Sequence, residues 1–227
     1  MTSRLRGQRW DAGAQAVGED KTMMLPDVYF KPLTGDDVAL LEQWLEPANV
    51  HGWLDFGSGR QKLSRLQLQA LVSSKKNWAR FYCDAEGRPI GFMCMVDIDN
   101  PMGSAEVFGL RGDLQNGPRH ITTAAFINAL ATGFYDLDRS VMSTWVVASN
   151  RPSIQVHRKA GLTEVGRLRH RHVMAGERLD RVCFDITREE FGRLHPTAIS
   201  EQGACYADWL AEHLAASQDD ALTCRLC

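Results

Sequence analysis

The chain has 227 residues, of which 44% are apolar and 24% charged, which is enough apolar material for one domain of generous size with a core. Its formal net charge of −2 excludes a global positive field that would attract nucleic acid or an acidic membrane. No apolar run approaches the roughly 18–20 residues that a membrane-spanning helix needs. We therefore expect a cytoplasmic protein whose partners include neither nucleic acid nor membrane.

The two ends of the chain differ from its middle. Residues 1–26 are polar and lack the apolar segment of a secretory signal, which predicts a disordered tail ahead of a folded domain over 27–195. The pattern of residues 196–227 predicts a helical extension followed by a tail. Its amphipathic helix over 198–217 has three open interpretations: it packs on the domain, it packs on a partner, or it belongs to the tail. A homodimer is one of the assemblies left open. The terminal Cys224-x-x-Cys227 lacks a second pair, so a frayed end is favoured over a zinc or redox site, and no metal is expected.

The first elements in chain order are a strand, a helix, a loop and a second helix. Thr34 is the predicted N-cap of the first helix. The Gly-rich, aromatic loop offers Trp53 and Phe56 as acceptor-binding residues, because loops on a rigid scaffold carry specificity, although both also suit a core. The predicted ranges are a strand over 28–33, a helix over 34–46, a loop over 51–60 and a helix over 61–74 with Leu63, Leu66 and Leu71 as its core positions.

The remaining pattern begins with a hairpin across the turn "DAEGR" and then alternates strands with helices. This order predicts an α/β (α+β) fold with a mixed sheet rather than a doubly wound parallel one. The predicted ranges are strands over 77–83, 89–98 and 104–111, a helix to about 135, a strand over 140–149, a helix over 151–161, a hairpin of 162–174 with 178–186, and a short helix over 187–194.

The stretch "LQNGPRHITTAAF" predicts a turn that opens a helix. Pro118 fits an early helix position, and Arg119 and His120 then stand in the first turn, where the helix dipole disfavours positive charge. A bound pyrophosphate would make both charges favourable there, since helix starts offer free N–H groups to phosphates. A solvated arginine that tolerates a small penalty explains the pattern equally well.

Three further patterns are candidates for chemistry. In "NRPSIQVHRKAG", Asn150 can cap a helix, and Ser153 and His157 share the face that continues from it, so His157 could move a proton near neutral pH. Glu106 shares a strand face with Phe108, which suits either an edge group or a general base. In "RLRHRH", strand alternation places Arg167, Arg169 and Arg171 on one side, which favours a charged edge strand over a phosphate or RNA contact.

Taken together, residues 27–192 resemble the GNAT acetyltransferase superfamily, most closely its ribosomal-protein N-acetyltransferase-like branch. The order of elements is similar, and "NRPSIQVHRKAGL" resembles the family's Asn-x-x-Ser/Ala … Lys-x-Gly-Phe segment. The family's Gln/Arg-x-x-Gly-x-Gly/Ala cofactor loop aligns with Asn116, Arg119 and Ile121, which replace its three motif residues, while the neighbouring Gly117 is kept. The resemblance implies a GNAT fold with a mixed, mostly antiparallel sheet of about seven strands and flanking helices.

The resemblance also implies acetyl-CoA as co-substrate, an amine of a small molecule or peptide N-terminus as acceptor, and direct transfer. Glu106 would be the base, acting through water, and His157 the proton donor to the departing sulfur, with a strand N–H stabilising the oxyanion. The alternative is a non-catalytic acyl-CoA sensor or partner-binding module on the same fold. The implied cofactor-binding residues are Phe108, Gly109, Leu110, Asn116, Gly117, Pro118, Arg119, His120, Ile121, Asn150, Ser153 and Lys159.

Overall fold

In the part of the chain that the computed structural model describes, residues 25–212, seven strands form one sheet. The central strands are apolar and rich in β-branched and aromatic residues, as strands buried on one or both faces require, whereas the two edge strands are mostly exposed. The strands are β1 (Tyr29–Pro32), β2 (Trp78–Cys83), β3 (Pro89–Val96), β4 (Ser104–Arg111), β5 (Val141–Val147), β6 (Thr163–Met174) and β7 (Glu177–Thr187).

The strand order is β1-β2-β3-β4-β5-β7-β6. Neighbouring strands are antiparallel except β4 and β5, which run parallel. The mixed, mostly antiparallel sheet predicted from the sequence is therefore confirmed. The parallel pair joins an antiparallel half made of β1–β4 to a second antiparallel half made of β5, β7 and β6.

Helices cover both faces of the sheet, and each face has its own apolar core. Helices α4 and α5 pack on one face with Ile121, Phe126 and Ile154, while α1 and α3 pack on the other with Leu41 and Leu68. The helices are α1 (Val38–Leu45), α2 (Ala48–His51), α3 (Arg65–Ser73), α4 (Ile121–Ala131), α5 (Arg151–Lys159) and α6 (Arg188–Leu194), with a π-helical turn over Thr132–Asp136 after α4.

The predicted start of the first helix was wrong. The helix begins at Val38, and Thr34 is not its cap, because the Asp37 carboxylate accepts from the Thr34 N–H and hydroxyl at 2.9 Å each. Leu63 and Leu71 pack against the core as predicted, but Leu66 is 75% exposed and Leu68 is fully buried in its place. The start of α3 is set by Ser64, which forms a capping box with Gln67.

The described part of the C-terminal extension packs on the domain. The Glu201 carboxylate accepts from Trp78 Nε1 and Arg80 Nε at 2.7 Å each, which ties the extension to β2. Its helix begins at residue 206 rather than at 198, after an irregular segment whose Ser200 and Glu201 bond to Asp136 and Thr132 of the π-helical turn. The predicted N-terminal tail up to residue 24, the end of that helix and Cys224-x-x-Cys227 lie outside the described residues.

Within residues 25–212, no helix is long and apolar enough to cross a membrane. The same part of the chain contains no group of three or more His, Cys, Asp or Glu side chains arranged to hold a metal ion.

Candidate functional site

The two strands of the parallel pair separate soon after they begin. β4 and β5 pair through Ser104–Glu106 and Val141–Ser143 only. Beyond Glu106, β4 continues to Arg111 bonded to β3 alone, so one edge of its backbone faces the gap. A strand edge inside a sheet is a place where an extended ligand can bond to the main chain.

The gap opens into a cleft of about 920 Å³. Eight predicted site residues line it, from the loop after α2, from both separated strands and from α5. They are Trp53, Phe56, Glu106, Phe108, Gly109, Asn150, Ser153 and His157. Leu110, the loop residues 116–121 and Lys159 do not line this cleft, so the predicted cofactor residues fall into two groups.

Glu106 lies where the pairing of β4 and β5 ends. Its Oε1 accepts a hydrogen bond from Trp145 Nε1 at 3.1 Å, across the gap from β5. Burial raises the pKa of Glu106 above its ordinary value, opposed by the Trp145 hydrogen bond and by the charge of Arg181. A carboxylate with a raised pKa is a better proton acceptor, so Glu106 has the environment of a general base.

Beneath Trp145 lies an ion pair that the sequence did not predict. The Arg181 guanidinium lies 3.7 Å from the centre of the Trp145 ring, and its Nη2 is 2.5 Å from Asp55 Oδ2. Burial alone raises the pKa of Asp55, but the hydrogen bonds from Arg181 and from the backbone N–H groups of Gly57 and Gly59 outweigh it and hold the pKa below its ordinary value. The stacked ring, the arginine and the carboxylate therefore fix the floor of the cleft.

The same network fixes the loop after α2. Asp55 Oδ1 accepts from the N–H groups of Gly57 and Gly59 at 2.9 Å each, which folds the loop around one carboxylate. The Phe56 ring meets Phe108 edge-on with centroids 5.9 Å apart. The loop that carries Trp53 and Phe56 is thus held against the strand that borders the gap.

His157 is buried in an apolar setting. It is 6% exposed, with its ring 4.6 Å from Phe126 and 5.5 Å from Phe184 between centroids. Its Nδ1 lies 2.7 Å from the Ser153 carbonyl oxygen, which only accepts, so Nδ1 carries the proton and Nε2 faces Thr144 Oγ1 at 3.4 Å. Burial lowers the pKa of His157, opposed by the Ser153 bond. A neutral imidazole whose single N–H is used within the helix is poorly placed to donate a proton.

The start of α5 matches its prediction. Asn150 caps the helix by accepting from the Ser153 N–H at 3.3 Å, and Gly161 closes it with a φ of +84°. Both capping residues belong to the segment that carried the sequence resemblance. Asn150 and Ser153 therefore stand at the end of β5, on the side of the gap opposite β4.

The candidate phosphate loop differs from its prediction. The helix begins at Ile121, so Pro118 and Arg119 precede it, and His120 occupies the N-cap position with a φ of +68°. The structure records no acceptor within residues 25–212 for the backbone N–H groups of Gly117, Arg119 and His120. These N–H groups, at the start of an 11-residue helix, are therefore available to bind an anion.

Asn116 does not contribute its backbone N–H as expected. That group donates to Asp113 Oδ1 at 2.9 Å, and the Asn116 side chain donates to Asp113 Oδ2 at 2.9 Å. Arg111 supports the same loop from inside, since its Nη2 donates to the Asn116 carbonyl oxygen at 2.7 Å. The side chains of Arg111 and Asp113 shape this loop, in which Gly117 and His120 have positive φ angles of +88° and +68°.

Positive charges gather at this loop. Burial lowers the pKa of His120, and the nearby charges of Lys159 and Arg119 lower it further. Lys159 thus lies within electrostatic range of the loop although it ends another helix. Such a group of cations repels itself and is stabilised by a bound anion.

The alternation predicted for "RLRHRH" was wrong. The register of β6 against β7 shifts between Leu168 and His172, where His170 has a φ of +54° and donates its N–H to Asp180. This bulge breaks the expected row, so Arg171 lines the cleft beside His170. His172 is buried, with Nε2 2.7 Å from the Gly52 carbonyl oxygen and Nδ1 3.3 Å from Arg181 Nη2.

Sequence reasoning missed four side chains that shape the site. Two of them could have been found from the local sequence. Asp55 and Asp113 each precede short runs with Gly, Ser, Gln or Asn, a pattern typical of a carboxylate that accepts from the backbone N–H groups of the residues that follow it. Trp145 and Arg181 had none, because their contacts cross from β5 to β7 and to the loop after α2. They are Asp55, Asp113, Trp145 and Arg181.

Comparison with known proteins identifies one related sequence and many related structures. No protein-family profile matches the chain. The SPbeta prophage-derived uncharacterized N-acetyltransferase YokL of Bacillus subtilis (strain 168) is 39% identical over 117 residues, which cover 46% of this chain and 65% of that protein. The chain thus spans just under two thirds of the length of that relative.

Among solved structures, spermidine N-acetyltransferase from Vibrio cholerae in complex with CoA and spermine superposes with a TM-score of 0.63 at 18% identity, over 72% of this chain and 97% of that one. RimJ from Mycobacterium smegmatis in complex with CoA-disulfide superposes with a TM-score of 0.60 at 20% identity, over 72% of this chain and 83% of that one. At this level of identity the likeness shows a shared fold.

Proposed function

The chain has the GNAT acetyltransferase fold, and from this premise we propose that it transfers the acetyl group of acetyl-CoA to a primary amine of a small molecule or a peptide N-terminus. The observation that carries the proposal is the separation of β4 from β5 directly after Glu106. At this point a half-buried carboxylate lies at the floor of an open gap, with unpaired strand backbone along one wall. The sequence relationship to an N-acetyltransferase supports the same activity.

The residues present fit acetyl-CoA as two separate groups. Phe108, Gly109 and Asn150 line the gap, and the free strand edge of Phe108–Leu110 with the Asn150 side chain suits the amide-containing pantetheine arm. The N–H groups of Gly117, Arg119 and His120, with Lys159 nearby, suit the pyrophosphate. When bound there, acetyl-CoA supplies a thioester, whose carbonyl carbon is open to attack by an amine.

In this proposal Glu106 takes a proton from the acceptor ammonium, directly or through one water, so that the amine nitrogen can attack the thioester carbonyl carbon. The C–S bond would break as the C–N bond forms, and the departing CoA thiolate would take up the second proton of the nitrogen through water. A strand N–H of Phe108–Leu110 donates to the carbonyl oxygen as negative charge develops on it. Trp145 holds Glu106 in place, and the Asp55–Arg181 pair holds Trp145. We assign His157 to the positioning of α5 rather than to proton donation, because its N–H group is bound to Ser153.

The acceptor would enter between the loop of Trp53 and Phe56 and the β6–β7 hairpin, which border the remaining sides of the cleft. The neighbour from Vibrio cholerae was solved with spermine, so polyamines belong in any acceptor screen. Amino acids, amino sugars and peptide N-termini complete the panel.

The test is release of CoA thiol from acetyl-CoA across that panel, with Glu106→Gln as the diagnostic variant. Glutamine still accepts from Trp145, so the variant should bind acetyl-CoA normally while kcat falls by roughly 100-fold or more. Glu177→Gln, an exposed position at the start of β7, is the matched control and should behave as wild type. Acetyl-CoA binding without release of CoA to any amine would instead establish the acyl-CoA sensor.

A further inference from the structure

The charged side chains that line the cleft are mainly positive. Four arginines face two carboxylates, so the cleft has a formal excess of two positive charges in a chain whose net charge is −2. Both carboxylates belong to the floor. The six are Arg60, Arg171, Arg178, Arg181, Asp55 and Glu106.

The two carboxylates compensate at most half of this positive charge. Asp55 is paired with Arg181, and that pair satisfies only part of the guanidinium, because Arg181 Nε is buried without an acceptor among residues 25–212. Glu106 is held by Trp145, which is uncharged. An unpaired buried donor next to an open cleft is unusual, since most buried polar groups are satisfied.

The other three arginines surround the acceptor side of the cleft. Arg60 ends the loop that carries Trp53, while Arg171 and Arg178 lie on opposite strands of the β6–β7 hairpin. All three are exposed, and the structure records no ion pair for any of them within residues 25–212. The bulge at His170 is what brings Arg171 to the cleft.

A positive rim selects the charge of the molecule that enters. A polycationic amine would be repelled by these arginines at its far end, whereas a carboxylate or phosphate matches the geometry of a guanidinium. Gly117 and Arg119 do not line this cleft, so the loop proposed for the pyrophosphate is separate from the rim and does not account for it.

Resting on the acetyl transfer proposed above, we infer that the acceptor is a small amine whose other end carries an anionic oxygen group, bound by Arg60, Arg171 and Arg178. The amine then points towards Glu106 at the floor, and the anionic group stays at the mouth. Two oxygen anions share this chemistry, carboxylate and phosphate, and the experiment separates them.

The experiment measures binding of matched amines by calorimetry to the full chain saturated with CoA, so that the result does not depend on turnover. γ-Aminobutyrate, n-butylamine and putrescine have similar length and differ in the charge of the far end. We expect γ-aminobutyrate to bind at least about tenfold more tightly than n-butylamine, with putrescine weakest. O-Phosphoethanolamine against ethanolamine repeats the comparison for phosphate, and the series with the larger preference identifies the anion.

The variant Arg178→Gln should reduce that preference about tenfold while leaving CoA affinity unchanged. Arg169→Gln is the matched control, since Arg169 is an exposed arginine of the same hairpin that does not line the cleft, and it should change nothing. Binding of n-butylamine or putrescine as tight as that of the anionic amines, or a preference that Arg178→Gln leaves intact, would overturn the inference.

Turnover separates this inference from the proposed function. Anionic amines that bind selectively but release no CoA from acetyl-CoA would leave the inference standing and remove the transferase activity. Release of CoA with putrescine in preference to γ-aminobutyrate would establish the transferase activity and overturn the inference of an anionic acceptor.

Discussion

The hydrogen bond from Trp145 to Glu106 can be tested through the pH dependence of the reaction. Replacing Trp145 with Phe keeps an aromatic ring over Arg181 but removes the N–H that donates to Oε1 at 3.1 Å. That N–H stabilises the carboxylate and not the acid, so its loss raises the pKa of Glu106 above an already raised value. A hydrogen bond to a charged group contributes about 1.5 kcal/mol at the low end, which corresponds to a rise of about one pH unit.

The assay is kcat/KM of the best amine as a function of pH, in wild type and Trp145→Phe. The reaction requires Glu106 as the carboxylate. The acid limb of the pH profile of kcat/KM should therefore move to higher pH by about one unit in Trp145→Phe. The ionisation of the amine itself is the same for both proteins and cannot produce the difference. Trp53→Phe removes another indole of the same cleft, one without a bond to Glu106, and its acid limb should stay in place. An unchanged limb in Trp145→Phe would refute the assignment of Glu106 as the base.

Three further variants test the supporting structure. Arg119→Gly should weaken acetyl-CoA binding about three- to tenfold and make it less sensitive to salt in calorimetry, because a phosphate partner is lost. His157→Ala should lower the free energy of unfolding by about 2 kcal/mol in urea titrations, with kcat of the folded enzyme within about threefold of wild type, because the ring packs between Phe126 and Phe184. Arg181→Met should lower the free energy of unfolding by about 3 kcal/mol, since it leaves Asp55 partly buried without its cation, and Asp55→Asn in the same chain should recover part of that loss.

Each of these expectations has a clear opposite. Tighter acetyl-CoA binding by Arg119→Gly would mean that close backbone approach matters more than the side chain. A kcat loss of orders of magnitude in His157→Ala with normal stability would return His157 to the role of proton donor. Additive losses in the Asp55–Arg181 double variant would show that the two side chains are not coupled.

Local signals in the sequence predicted most of the sheet and both ends of α5. Strands such as 104–111 are bounded by turn residues and carry apolar side chains. At the ends of α5, Asn150 caps through its side chain and Gly161 adopts a positive φ, and both properties depend only on neighbouring residues. The start of α1 was missed because Thr34 is a common capping residue, whereas in the structure its N–H and hydroxyl donate to Asp37 and no side chain caps the helix.

The floor of the cleft was out of reach because its contacts are distant in sequence. Asp55 and Arg181 are joined across 126 positions, and the bond from Trp145 to Glu106 spans 39. The bulge at His170 was also invisible, since an irregular residue shifts the alternation on which the prediction of the arginine row depended. Under the proposed function, these are the features that border the acceptor.

The short pairing between β4 and β5 has a mechanical consequence. Three residue pairs join the two antiparallel halves of the sheet through strand pairing, so this seam is the shortest pairing in the described sheet. A ligand that bonds to β4 on one side and to Asn150 on the other acts as a clamp over the seam. Its binding energy therefore adds to the cohesion of the sheet, and the protein would reach full rigidity only with its co-substrate in place.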